Sequence, residues 1–242
     1  MKSLRWVILP EFYWFDLGHR PIFEQLQIEE TLLRASELSC CLINRGSPLA
    51  IVMGISGRPE EQLDVHRVIH DRVPVIQRCS GGGTVVVDHN TLFISFLFQK
   101  EALPIHPFPE PILRWSGDLY TESWKIPSFH LVENDYAIGA RKCGGNAQYI
   151  RKNRWLHHTT FLWDYSPDNM RYLLLPPKQP VYRQNRDHDS FLCRLKEHAS
   201  SRETLISQLK AHLSQRFDLK ETPLPSIAPP SRCSVHFVNL GY

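Results

Sequence analysis

The sequence predicts a single α/β domain of the α+β type, built on mostly antiparallel strands. Three observations predict it. Short β-rich runs are joined by tight turns, as where Thr84-Val85-Val86-Val87 meets Asp88-His89-Asn90 and a strand over 91–98 follows. Few segments carry helical periodicity, chiefly 22–34 and 205–217. No internal repeat or long low-complexity tract divides the 242 residues, whose 42% hydrophobic and 22% charged composition is that of an ordinary globular protein able to bury a full core.

Apolar residues at 22, 26 and 33 and at 28 and 32 fall on one side of a helix over 22–34, with Glu24, Glu29 and Glu30 interspersed. Residues 41–54 read as a hairpin, turning at Arg45-Gly46-Ser47-Pro48. A more polar helix over 61–71 delivers the chain into a strand over 73–76. Residues 103–111 are a proline-rich loop, and 112–119 begin a helix. Two β-rich runs, 132–138 and 155–163, bracket a Gly/Lys-rich stretch over 139–153 that reads as a loop. Residues 170–182, with Pro176-Pro177 and Pro180, form an irregular crossing. Leu205, Leu209, Leu213 and Phe217 recur every four residues along an amphipathic helix, and the proline-rich end over 223–230 reads as mobile.

The formal charge of +3, with no basic run interleaved with aromatics, argues against a nucleic-acid partner. No apolar stretch approaches the roughly 20 residues of a membrane span, and the first ten residues are too short and poorly patterned for a signal peptide. These features predict a soluble, intracellular protein without a membrane partner, in the cytoplasm or an organelle matrix. Cys40, Cys41, Cys79, Cys143, Cys193 and Cys233 show neither C-x-x-C spacing nor the density of a disulfide scaffold, so they read as reduced thiols with no tightly bound structural metal.

Two segments carry chemistry. In Arg78-Cys79-Ser80-Gly81-Gly82-Gly83-Thr84-Val85-Val86, consecutive glycines after an arginine let backbone N–H groups converge on an anion such as a phosphate. A flexible turn is the other account of a glycine triplet. There is no G-x-x-x-x-G-K-[ST] pattern, and a strand rather than a helix follows the glycines, which excludes a P-loop and a dinucleotide fingerprint. The second segment, Asn134-Asp135-Tyr136 through Lys142-Cys143-Gly144-Gly145-Asn146-Ala147-Gln148, sets one lysine among glycines, where it can approach a ligand or stand as a solvated turn residue.

Arg-x-Ser-Gly-Gly-Gly-Thr-Val, then Asn-Asp-Tyr, Lys-x-x-Gly-x-Ala-Gln and Leu156-His157-His158-Thr159-Thr160, resembles the lipoate-protein ligase family in motif and order. The resemblance begins at Pro21-Ile22-Phe23-Glu24-Gln25-Leu26 with Glu29-Glu30 and covers roughly residues 20–165. It departs at Val87-Asp88, where many members have a histidine before the aspartate, and at His-His-Thr-Thr, usually His-His-Gly-Thr. The resemblance implies the catalytic-domain fold shared with biotin protein ligases, a mixed, largely antiparallel sheet flanked by helices. Residues 1–242 would form that one domain, with no C-terminal accessory domain, so that a separate accessory subunit could supply one.

The implied reaction activates lipoate or octanoate with ATP and Mg²⁺ to an acyl adenylate, then passes the acyl group to a lysine of a lipoyl-domain carrier. Such carriers belong to 2-oxoacid dehydrogenases or are the glycine cleavage H protein. Lys142 would be the catalytic cation stabilising the developing oxyanion. Arg78, Gly81, Gly82, Gly83, Thr84, Val85 and Val86, with Asn134, Asp135 and Lys142, would bind ATP and the acyl adenylate. Gly145, Ala147, His157 and His158 are substrate-binding candidates, though both histidines could equally pack within the sheet. Val85, Ile94 and Phe96 are candidate walls for the acyl chain, core packing being their other account. Two alternatives stand beside the ligase: a transferase of the same fold using a preformed acyl donor, whose thiol-dependent forms need a nucleophilic cysteine, and a noncatalytic carrier-binding protein.

Overall fold

Two long central strands, each sending alternate side chains to opposite faces, organise the molecule. The fold comes from a computed structural model describing residues 9–176 and 179–241. Residues 1–8, where the absence of a signal peptide was read, and Pro177 of the proline-rich crossing lie outside the described residues.

The chain runs β1 (Glu11–Asp16), α1 (Ile22–Ala35), β2 (Cys40–Asn44), β3 (Ala50–Met53), α2 (Pro59–Gln62), α3 (Val65–His70), β4 (Val75–Gln77), β5 (Val85–Val87) and β6 (Thr91–Gln99). It continues through α4 (Pro109–Trp124), β7 (Phe129–Val132), β8 (Asp135–Ile138), β9 (Arg141–Ile150), β10 (Arg154–Leu162), α5 (Pro167–Met170) and α6 (His188–Phe191), and ends with α7 (Arg202–Leu213), β11 (Asp218–Glu221) and β12 (His236–Phe237). Eight strands form one sheet in the order β11-β1-β2-β6-β10-β9-β8-β7, and four form a second, β12-β4-β3-β5. Among the described strands only β11–β1, β1–β2 and β3–β4 pair in parallel. The mixed, largely antiparallel architecture is therefore as the sequence predicts.

From β6, Leu92, Ile94, Phe96 and Phe98 enter the main core with Trp155 and Phe161 of β10, under α4 and α7. On the opposite face lies α1. Its Leu32 and Leu33 pack on Leu42, Leu97 and Leu156 of the large sheet, while Ile22 and Leu26 meet Val52, Ile76 and Val87 of the small one. Helix α1 is thus the wedge between the sheets, and its amphipathic pattern was legible because both contacts are apolar.

Three sequence expectations fail for physical reasons. Residues 41–54 do not form a hairpin: β2 sits between β1 and β6, whereas β3 sits between β4 and β5 of the other sheet. Both strands are buried at every residue, the continuous apolar run of a doubly covered strand and not the alternation of an exposed hairpin. Residues 139–153 are not a loop but contain the ten-residue β9, hydrogen-bonded to β8 and β10. Its glycines serve close approach, since a Cβ on Gly144 would lie 2.5 Å from the Phe161 ring. The 61–71 helix is two short ones, α2 and α3. Residues 223–230 form no helix or strand, yet Leu224 and Ile227 pack against the cluster beneath α1.

Candidate functional site

The cleft lies where α1, the glycine loop after β4 and the faces of β9 and β10 meet. It has two adjoining chambers. The first, about 270 Å³, runs between α1 and the small sheet and has the apolar walls Ile22, Leu26, Val52, Val85, Val87 and Phe93. The second, about 400 Å³, lies toward residues 170–192, with Leu162, Met170, Leu173, Phe191 and Leu192 as its apolar part. Gly83, Thr84, Asn134, Asp135, Lys142 and Gly145 line both.

Lys142 reaches this junction because of an irregularity in its strand. The β8–β9 register shifts between Tyr136 and Ala137, so that Ala137 faces Lys142 while Tyr136 faces Gly144. Cys143 is buried in the core while Lys142 and Gly145, three residues apart, both line the cleft. A Cβ on Gly145 would lie 3.3 Å from Lys142 Nζ, so the glycine leaves the lysine room to lie across it. Lys142 Nζ is 2.7 Å from Asp135 Oδ1, and the Tyr182 hydroxyl donates to Asp135 Oδ2 at 2.9 Å. Both carboxylate oxygens are engaged, one of them by the lysine.

Arg78 behaves differently from the sequence expectation. It is 4% exposed, and its donors turn onto the protein. Nε donates to Ser80 Oγ (3.0 Å), Nη2 to the carbonyls of Gly81 (2.6 Å) and Gly83 (2.9 Å), and Nη1 to that of Val52 (3.4 Å). Burial pushes its pKa down to about 10. Its first role is to shape the glycine loop, which leaves one Nη1 hydrogen for a ligand. Gly82, at φ +94°, is the one glycine of the triplet in a conformation that L side chains rarely adopt. Gly81 lines neither chamber, whereas Val86 lines the second.

Strand alternation separates the two histidines. His157 is fully buried, its Nε2 3.0 Å from the Tyr136 hydroxyl, and burial holds its pKa down at about 3, so it stays neutral in the core and does not line the cleft. This corrects its place among the substrate-binding candidates. His158, on the other face, lines the first chamber beside Ala147, its partner across β9. Its Nδ1 is 2.8 Å from Glu29 Oε2 and its Nε2 is 3.1 Å from Ser80 Oγ. Glu29 is 1% exposed and also accepts from Gln25 Nε2 and Ser95 Oγ. Burial pushes its carboxyl upward, but the His158 ring and these donors outweigh that and hold it below its ordinary value. The same alternation corrects the acyl-chain walls: Val85 and Phe93 face the chamber, whereas Ile94 and Phe96 point into the main core.

None of the six cysteines lines either chamber. All are free. Burial pushes the Cys79 thiol to about 12 and Cys143 well above its ordinary value. Among the described residues no group of three or more His, Cys, Asp or Glu is placed to share a metal ion, and no helix is long and apolar enough to cross a membrane. Sequence reasoning missed the working roles of Gln25 and Glu29, although polar residues four apart on an apolar helix stripe are a readable signal. It also missed Tyr182 and Arg183, which lie beyond the motifs.

Comparison with known proteins identifies the family and the fold. Residues 21–218 match the family model described as the lipoyl protein ligase A/B catalytic domain. The inactive lipoate–protein ligase 2 of Plasmodium falciparum is 27% identical over 247 residues, covering 76% of this chain and 63% of that protein. The Bacillus subtilis lipoate-protein ligase LplJ is 27% identical over 135 residues, covering 54% of this chain and 39% of its own length. The chain thus spans less than two thirds of these curated relatives. In structure it superposes on lipoate-protein ligase A bound with ATP (TM-score 0.72, 16% identity, 88% of each chain). It also superposes on the bipartite lipoate protein ligase of Thermoplasma acidophilum (TM-score 0.70, 15% identity, 90% of this chain and 87% of that one). With the family model spanning most of its length and the fold shared, the chain belongs to the lipoyl protein ligase A/B catalytic domain family.

Proposed function

We propose that this protein activates lipoate or octanoate with ATP and transfers the acyl group to a lysine of a lipoyl-domain carrier protein. One observation carries the reading: Lys142 lines both of two adjoining chambers, each of which combines an apolar wall with polar groups. In this reading the apolar wall of the first chamber takes the acyl chain and the second chamber the nucleotide, so that the ammonium would lie beside the carboxylate oxygen that attacks the α-phosphate and the phosphate that it joins. A free carboxylate is a poor acyl donor, and adenylation gives it a leaving group. During adenylation and again during transfer, charge develops on oxygens within reach of Lys142, and one such donor is worth on the order of 3 kcal/mol. Asp135 holds the lysine at the junction until those oxygens arrive. Mg²⁺ would accompany ATP as part of that substrate and offset the phosphate charge.

The bipartite Thermoplasma ligase, studied with its E2 lipoyl domain, supports a carrier of that class and an accessory subunit as partners. A transferase using a preformed donor through a thiol is disfavoured because no cysteine lines either chamber. The name of the inactive Plasmodium relative favours a second reading, a carrier-binding protein without turnover. Mass spectrometry after mixing the protein with lipoate, ATP and a lipoyl domain separates them. Lipoyl-AMP and a lipoylated carrier are expected. Transfer only from a preformed donor indicates the transferase, and carrier binding with no adenylate indicates the noncatalytic protein.

A further inference from the structure

The second chamber is lined by a buried cation that forms no salt bridge among the described residues. Arg183, at the end of the 3-10 turn Val181–Arg183, is 4% exposed and lines this chamber with Lys142, Gly83 and Thr84. Its Nε donates to the Arg186 carbonyl (2.9 Å), and its guanidinium lies 4.8 Å from the centre of the Phe191 ring. Neither Nη nitrogen has a hydrogen-bond partner among the described residues, and Nη2 is buried. The neighbouring acids are committed elsewhere. Asp135 holds Lys142 and Tyr182, Glu133 accepts the Tyr182 N–H at 3.0 Å, and Asp187 caps α6 by accepting from the Ser190 N–H at 2.9 Å. Gln179 Oε1, in the same chamber, is also buried and unpartnered.

A buried charge without a directly bonded acid is costly, and burial pushes the Arg183 pKa down even though the charges of Asp135 and Asp187 act in the opposite direction. The Phe191 ring and the Nε bond hold the guanidinium while its Nη edge stays without a hydrogen-bond partner among the described residues. That edge offers parallel donors, the geometry that matches two oxygens of a phosphate. We propose that Arg183 is a phosphate-binding residue, taking nonbridging oxygens of the nucleotide in the chamber that Lys142 also lines. This rests on the nucleotide reading above. It adds a contact from a segment outside the family motifs. The oxygens can come from the α-phosphate, which stays in the acyl adenylate, or from the departing pyrophosphate.

Calorimetric titration of ATP, AMP and inorganic pyrophosphate into wild type and Arg183→Gln, with melting temperatures of the ligand-free proteins, tests the proposal. Loss of charge-assisted hydrogen bonds predicts roughly 10- to 100-fold weaker ATP binding, with little change in melting temperature because an unpaired buried charge is removed. Equal weakening for AMP assigns the α-phosphate, and weakening for pyrophosphate alone assigns the leaving group. Arg183→Lys keeps the charge without the fork; should the glutamine variant not fold, the lysine variant's weaker ATP binding is the supporting result. Wild-type affinity for all three ligands in a folded variant overturns the assignment and leaves the nucleotide reading standing. A wild-type protein that binds none of them overturns both.

Discussion

Gly82→Ala separates a shaped anion loop from a merely flexible one, because its two neighbours serve as controls. At Gly82 φ is +94°, and an added Cβ would lie 2.9 Å from Arg78 Nη2 and 3.5 Å from the Cβ of Ala147. Around Gly81 and Gly83 nothing lies within 4 Å, and neither has a positive φ. The backbone conformation costs an L residue about 1–2 kcal/mol. Displacing Arg78 Nη2 also weakens its bonds to the Gly81 and Gly83 carbonyls, adding about 1 kcal/mol. The total of about 2–3 kcal/mol lowers the melting temperature by about 4–12 °C for a chain of this size. Gly81→Ala and Gly83→Ala should instead hold or gain slightly, by up to about 1 kcal/mol, as the unfolded chain loses freedom. Scanning calorimetry of the three variants is the assay, with ATP titration reporting whether the loop keeps its shape. If Gly82→Ala melts with the controls and binds ATP as wild type does, the argument that Arg78 and Gly82 together shape the loop is wrong.

Lys142→Ala should abolish adenylation and transfer, by at least about 100-fold, and should fold with a lowered melting temperature because the buried Asp135 loses its 2.7 Å ion pair; near-normal turnover from both ATP and synthetic lipoyl-AMP would refute its role. Cys79→Ala and Cys143→Ala should keep most activity, and mass spectrometry should find no hydroxylamine-sensitive acyl-enzyme. Glu29→Gln breaks a buried pair and should cost on the order of 3 kcal/mol. Because folding depresses the Glu29 pKa, its contribution is complete above the unfolded value of about 4.3 and is lost as pH falls through the lower folded value. Denaturation curves between pH 6 and 3 should therefore be flatter for Glu29→Gln than for wild type, and parallel curves would contradict the ion-pair account.

The wedge helix α1 and the two ligand-facing segments were legible in the sequence because each depends on local chemistry. An apolar stripe every three to four residues makes a helix face wherever it lands, and three glycines after an arginine loosen the chain in any fold. What the sequence left open was which surfaces meet. Residues 41–54 contain two real strands, but only the tertiary structure sends them to different sheets, since an apolar run covered on both faces says nothing about its neighbours. His157 and His158 are equivalent as letters; strand phase alone puts one in the core and the other on Glu29. Lys142 looked like a loop residue because glycines usually break strands, yet β9 uses them to admit the Phe161 ring and the lysine's own side chain. Arg78 shows the same division: its motif marked it as a charge for a ligand, but burial obliged most of its donors to find partners in the loop itself. Tyr182 and Arg183 carry no motif, and they reach the cleft only because the chain after β10 folds back across β8 and β9. Local propensity sets what a segment can be, whereas burial and long-range pairing decide which way each side chain faces, and a site is made of the facings.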